Sequence, residues 1–140
     1  MKVKDFMTRQ VVTVDPAESV EVAARMLSHY NIGSLPVCGE DGNLQGMLTD
    51  RDIVVRCLSA CLNPAKTKVG EIMTRGATAV KPSMDANVAT HLMGKKQIRR
   101  LPVMEDGKLC GIVSLGDFTR EEDSCMDAAD ALADISHNIR

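Results

Sequence analysis

The chain spells one pattern twice. Val3, Met7-Thr8-Arg9, Val14, Pro16, Val22-Ala23, Ile32 and Leu35-Pro36-Val37 recur as Val69, Met73-Thr74-Arg75, Val80, Pro82, Val88-Ala89, Ile98 and Leu101-Pro102-Val103, each 66 positions further on. One residue is then dropped, and the echo continues at a separation of 65. Asp41-Gly42, Leu44, Gly46, Thr49 and Asp52 become Asp106-Gly107, Leu109, Gly111, Ser114 and Asp117. A unit of about 60 residues hides only about 60% of its unfolded surface, so the two copies are expected to share a core. The full length of 140 residues suits one compact domain. Two copies do not make a solenoid, which needs at least ~3 stacked units.

Composition removes several classes of function. The net charge is −2, so there is no basic footprint for nucleic acid. Phe6, Tyr30 and Phe118 are the aromatic residues, too few for a stacking platform. No apolar run approaches the ~18–20 residues of a membrane span, and the charged start is not a secretory signal. The expectation is a soluble, cytoplasmic protein with neither a nucleic-acid nor a membrane partner. Its cysteines are Cys38, Cys57, Cys61, Cys110 and Cys125, an odd number with no CxxC pair, expected as reduced thiols. Cys38 and Cys110 lie in apolar stretches, where cysteine packs as a small hydrophobe.

Read once, the unit gives a short strand over Val11–Val14 that ends at Asp15-Pro16. A helix follows over Ser19–Tyr30, with Val20, Ala23, Ala24, Leu27 and Tyr30 at helical spacing and Asn31 and Gly33 ending it. Leu35–Cys38 is a second strand, with Pro36 marking its start or an edge. Asp41-Gly42 makes a tight turn into the returning strand Leu44–Leu48, and Thr49 opens a helix to about Leu58. The copy gives strand Thr78–Val80, helix Asp85–Lys96, strand Leu101–Met104, turn Asp106-Gly107, strand Leu109–Val113 and a helix from Ser114. The order is β-α-β-β-α, twice, an α/β (α+β) class.

This order resembles the tandem cystathionine-β-synthase (CBS) domain pair, or Bateman module, of the small stand-alone bacterial type. Four features carry the resemblance in each copy: Met-Thr before the first strand, Leu-Pro-Val in the second, Asp-Gly in the hairpin, and Gly-x-x-[Ser/Thr]-x-x-Asp into the last helix. Residues 1–120 form the pair, with a first repeat at 1–60, a polar linker at 61–68 and a second repeat at 69–120. Residues 121–140 form an acidic helix or tail. The resemblance implies two copies packed sheet against sheet about a pseudo-twofold axis, with clefts between them. It also implies an adenosine-containing ligand such as AMP, ADP, ATP, NAD or S-adenosylmethionine, and pairing into a homodimer.

The residues of the last motif suit that chemistry. Gly46–Asp52 sets a strand end against a helix start, where unpaired N–H groups and the helix dipole favour an anion. Thr49 can cap the helix or offer its hydroxyl to a phosphate, and Asp52 can accept from both hydroxyls of a ribose. Gly111, Ile112, Ser114 and Asp117 repeat the arrangement. The same spacing is also a capping box, in which the acid satisfies a backbone N–H. Both hold if the acid caps the empty protein and releases to a ribose. The resemblance implies that the Ser114/Asp117 cleft borrows its adenine walls from Thr8–Val12 and from Ile32, Gly33 and Ser34. The Thr49/Asp52 cleft borrows Thr74–Thr78, Ile98, Arg99 and Arg100. Arg99 and Arg100 stand where the first copy has Gly33 and Ser34. Near Ser114 and Asp117 they would pair with phosphates, and Arg51 is a second phosphate candidate. The plainer alternative places these arginines in solvent or in ion pairs.

Other groups point elsewhere. Asp50 and Asp52 diverge on a helix, so they do not share a proton. His29, His91 and His137 belong to no repeated motif, and His29 and His91, aligned with Lys95 and Arg25, read as helix surface. Cys57 and Cys61 at helical spacing raise a thiol- or metal-responsive alternative, for which ordinary packing is the simpler account. No nucleophile, base and orienting group stand together, so no catalytic residue is assigned. Lys95-Lys96 with Arg99-Arg100 is the one basic cluster. Glu121-Glu122-Asp123 suits a helix start, and Ala128, Leu132, Ile135 and Ile139 then form one apolar stripe, with Asp127, Asp130 and Asp134 off it. The expectation is a regulatory binding module with no required cofactor, no metal and an unidentified protein partner. A scaffold with empty clefts, or a small enzyme with an unrecognised site, stands behind it.

Overall fold

Leu35, Val37 and Leu48, and their counterparts Leu101, Val103 and Val113, are fully buried, and each trio belongs to one small antiparallel sheet. The computed structural model describes residues 1–120 and 122–137, with side chains at 1–119 and 128–136. The chain divides into two compact units. The inner unit is Val12–Ala77, and the terminal unit joins Met1–Val11 to the described residues from Thr78 onward.

The inner unit runs α1 (Val20–Tyr30), β1 (Ser34–Cys38), β2 (Leu44–Thr49), α2 (Asp50–Asp52), a π-helical continuation over Ile53–Leu58, α3 (Val69–Ile72) and β3 (Thr74–Arg75). Ser19 caps α1, its hydroxyl accepting from Val22 N at 3.2 Å. Asn31 ends the helix in the left-handed conformation, a role that suits asparagine. The sheet order is β1-β2-β3, all antiparallel. Pro36 is tolerated because β1 is the edge strand, flanked on its far side only by a bridge to Val14.

The terminal unit runs from a 3-10 turn (Val3–Asp5) to α4 (Ala86–Lys96), β4 (Arg100–Glu105), β5 (Lys108–Ser114), a 3-10 stretch (Leu115–Arg120) and α5 (Glu122–His137). Its core holds Val3, Phe6, Met93, Leu101, Val113 and Phe118, with the Phe6 and Phe118 rings 5.0 Å apart.

Backbone hydrogen bonds repeat with the period of the sequence. Val3 N donates to Met84 O, Lys4 N to Pro82 O, and Ala86 N to Met1 O. In the inner unit Val69 N donates to Glu18 O, Gly70 N to Pro16 O, and Val20 N to Thr67 O. The opening segment of each sequence repeat therefore docks on the other repeat. Sequence repeats and folded units do not coincide, and Thr67 and Lys68 of the expected linker are bonded into the inner unit.

Several expectations are corrected. The strands over Val11–Val14 and Thr78–Val80 reduce to single parallel bridges, Val14 to Val37 and Val80 to Val103. Prolines 16 and 82 follow closely and supply no N–H to extend a ladder. The helix from Ser114 is a 3-10 stretch. On α5 the buried face is Ala128, Ala131 and Ile135, whereas Leu132 is 43% exposed. The reason is close approach. A Cβ on Gly94 of α4 would lie 3.2 Å from the Ala131 Cα, so this contact admits small residues only. Ile139, the Glu121-Glu122-Asp123 helix start, the Asp127 side chain, His137 and the Cys125 thiol lie outside the described residues or side chains.

Candidate ligand-binding site

The Gly-x-x-[Ser/Thr]-x-x-Asp motif forms a corner in each unit, at the end of β2 and the end of β5. Its glycine is a crossing point. A Cβ on Gly46 would collide with the Thr74 carbonyl, and a Cβ on Gly111 would meet Met7 Sδ at 2.8 Å and Thr8 O at 3.0 Å. Only glycine lets the Met-Thr segment pass so close. That passage pairs Met47 with Thr74 in the inner unit and Ile112 with Thr8 in the terminal unit.

In the inner corner Thr49 caps the helix. Its Oγ1 accepts from Asp52 N at 3.0 Å, and Asp52 Oδ2 accepts from Thr49 N at 3.0 Å, a complete capping box. Asp52 is 8% exposed. Its carboxylate also accepts from the Thr74 hydroxyl at 3.3 Å and faces Arg56 Nε at 3.8 Å. The Arg56 guanidinium donates in turn to the carbonyls of Ile72 and Met73. The buried acid is thus fully partnered, as a buried charge must be. The N–H groups that the sequence left open for an anion are occupied here by the chain itself.

In the terminal corner Asp117 Oδ2 accepts from Ser114 N at 2.7 Å. Arg100 pairs directly across the sheet from Ser114, and Arg99 O accepts from Leu115 N at 2.8 Å. Directly opposed residues share a sheet face, so Arg100 and Ser114 point to the same side, away from the core residues Leu101 and Val113.

The structure therefore gathers Gly33, Ser34, Thr49, Asp52 and Thr74 in one unit. It gathers Thr8, Ile98, Arg99, Arg100, Ile112, Ser114 and Asp117 in the other. Ile32 and Val12 are half-buried against the inner core, and Thr78 is half-buried in the terminal unit. Arg51 is exposed, and its backbone N–H donates to Asp50 Oδ1 at 2.8 Å. Sequence reasoning missed Arg56 as the partner of Asp52. The i, i+4 spacing from Asp52 was the available signal.

Cys57 and Cys61 do not converge. Cys57 is buried with Sγ 3.7 Å from Leu62 O, and Cys61 is exposed at a φ of 61° beyond the helix end. The shared helix face expected for the pair is therefore absent. Burial and Asp41 raise the Cys38 thiol above its usual range, and burial with Glu105 raises that of Cys110. Among the described residues no group of three or more His, Cys, Asp or Glu could hold a metal ion. Among them also, no helix is long and apolar enough to cross a membrane. His29 and His91 are exposed.

The family model for the CBS domain matches the chain at residues 3–59 and again at 69–124. The CBS domain-containing protein YhcV of Bacillus subtilis is 43% identical over 135 residues, 96% of this chain and 95% of that protein. The crystal structure of Hypoxic Response Protein I with two coordinated zinc ions superposes with a TM-score of 0.80 at 36% identity, covering 86% of this chain and 98% of that one. The structure of CBSX2 in complex with AMP gives a TM-score of 0.75 at 31% identity, covering 85% and 93%. The CBS domain pair of MJ0100, in complex with 5′-methylthioadenosine and S-adenosyl-L-methionine, gives 0.76 at 30% identity, covering 86% and 94%.

Proposed function

Since the chain belongs to the CBS domain family, with two copies in its length, we propose that it is a regulatory module that binds an adenosine-containing ligand and is not itself an enzyme. One observation carries this reading. The same corner is built twice, each with a hydroxyl residue at the strand end and an aspartate three residues on, held in place by backbone N–H groups. A carboxylate so placed can accept from the two hydroxyls of a ribose. Similar structures bind AMP in one case and 5′-methylthioadenosine with S-adenosylmethionine in another.

The finer assignment concerns phosphate. The terminal corner carries Arg99 and Arg100 beside Ser114 and Asp117, and planar guanidinium groups suit phosphate oxygens. This corner takes the phosphorylated ligand. Calorimetric titration with ATP, AMP, NAD and S-adenosylmethionine tests it. Changing both Arg99 and Arg100 to Ser is expected to weaken ATP about tenfold or more, the scale of lost charge-assisted hydrogen bonds. ATP affinity unchanged by that double substitution would sink the assignment.

A ligand regulates only if it prefers one arrangement of the protein over another. Pairing of two copies belongs to this reading. Val54, Val55, Leu58 and Leu62 stand together in sequence and are 43–56% exposed, an apolar surface suited to a second chain. Sedimentation of Leu58→Glu against the parent reads this directly. A dimer turned monomer supports the pairing, and equal masses oppose it.

A further inference from the structure

Around the two corners the repeats diverge in charge or polarity at four aligned positions. Gly33, Ser34, Asp50 and Arg51 of the inner unit stand where the terminal unit has Arg99, Arg100, Leu115 and Gly116. At the inner turn the successive backbone N–H groups are consumed by the chain itself. Thr49 N donates to Asp52 Oδ2, Asp50 N to Gly33 O, Arg51 N to Asp50 Oδ1, and Asp52 N to Thr49 Oγ1, all at 2.8–3.0 Å. Asp50 thus puts a carboxylate where a phosphate would seek donors. The Asp50 carboxylate lies over Gly33, where a Cβ would be in ordinary contact with Asp50 Oδ2 at 3.4 Å. Leu115 has no acceptor with which to do the same.

A second, independent observation marks this corner as a ligand site. Ser34 is 8% exposed, and its Oγ has no hydrogen-bond partner among the described residues. Ser34 pairs with Thr49, so the two side chains share the sheet face turned away from Leu35 and Leu48. A buried hydroxyl left unpaired is costly, and a bound molecule with a neutral donor or acceptor would relieve it.

We propose that the inner corner selects an adenosine derivative without phosphate, a nucleoside or its 5′-thioether or sulfonium. Asp52 receives the ribose, Ser34 supplies a neutral hydrogen bond, and Asp50 rejects a phosphate. Nearby positive charge does not reverse this. Arg56 is engaged with Asp52 and with the carbonyls of Ile72 and Met73, and the Arg51 side chain is exposed to solvent. The inference rests on the adenosine reading above.

Titration calorimetry of Asp117→Ala, which disables the terminal corner, compares adenosine, 5′-methylthioadenosine and AMP. Adenosine and its thioether are expected to bind about tenfold or more tightly than AMP, because AMP brings like charge against Asp50. Adding Asp50→Asn should bring AMP to within about twofold of adenosine by removing that charge. Ser34→Ala should weaken adenosine about fivefold through one lost hydrogen bond. AMP binding as tightly as adenosine, or a preference untouched by Asp50→Asn, overturns the inference and leaves the adenosine reading standing. If Asp117→Ala does not fold, the otherwise unaltered chain decides. AMP should fill one site per chain in the parent and a second in Asp50→Asn, and two sites in the parent would overturn the inference. A parent that binds ATP but neither adenosine nor the thioether sinks this inference alone. A parent that binds no adenosine compound sinks the underlying reading with it.

Discussion

The Thr74 hydroxyl lies 3.3 Å from Asp52 Oδ1. This bond ties the opening segment of the second sequence repeat to the acid of the first. Thr74→Val keeps the volume and deletes the donor, so it should cost about 1 kcal/mol of stability. Asp52→Ala removes the acid half of the capping box and leaves the Thr49 N–H unsatisfied, at about 1–3 kcal/mol. Urea denaturation measures both. Parent-like stability of Thr74→Val would show that the bond contributes nothing to the empty protein.

Gly46→Ala should be harsher than Gly111→Ala. At position 46 the new methyl meets the Thr74 backbone, whereas at 111 its nearest neighbour is Met7 Sδ, the flexible end of a side chain. The expected cost at 46 is about 1–3 kcal/mol, as for other overpacked sites. Equal unfolding midpoints for the two variants would contradict the crossing geometry.

Much of this was legible in the sequence, because the repeat allowed each motif to be read twice. Leu-Pro-Val, Asp-Gly and the glycine–hydroxyl–aspartate spacing mark the strands, turns and corners now seen. The docking of Val3 and Val69 was not legible, since periodicity reports local structure and says nothing of which unit a segment joins. Leu132 misled because helical spacing put it on one apolar stripe, whereas the contact at Gly94 selects the smaller Ala131. Asp50 read only as an acid diverging from Asp52 on a helix, and its bond to Arg51 N gives it a place in the corner.

The face of α5 is tested by a pair of substitutions. Ile135→Ala removes a side chain that is 6% exposed and should cost about 2–5 kcal/mol if the site does not collapse. Leu132→Ala should stay within about 0.5 kcal/mol of the parent, as surface changes do. The reverse order in denaturant unfolding would place the buried face elsewhere.

Thiol chemistry should follow exposure. Cys61 is exposed and is expected to react with a maleimide before Cys38 and Cys57, which are buried and wait for unfolding. Burial and Asp41 raise the Cys38 thiol, so less of it is thiolate at neutral pH. Site-resolved mass spectrometry over time reads the order. Early labelling of Cys57 in the folded chain would revive a thiol-based function.

The central claim is that the twice-built aspartate corner binds adenosine compounds. Thermal unfolding of the parent, Asp52→Ala and Asp117→Ala, each with AMP, ATP, S-adenosylmethionine and 5′-methylthioadenosine, tests it most directly. Ligand at 100 times its dissociation constant adds about 2.7 kcal/mol. For a chain of this size that raises the midpoint by roughly 2–6 °C per kcal/mol. The account predicts a rise with at least one compound that is abolished by one of the aspartate changes. No rise with any compound, or a rise that survives both changes, would contradict it.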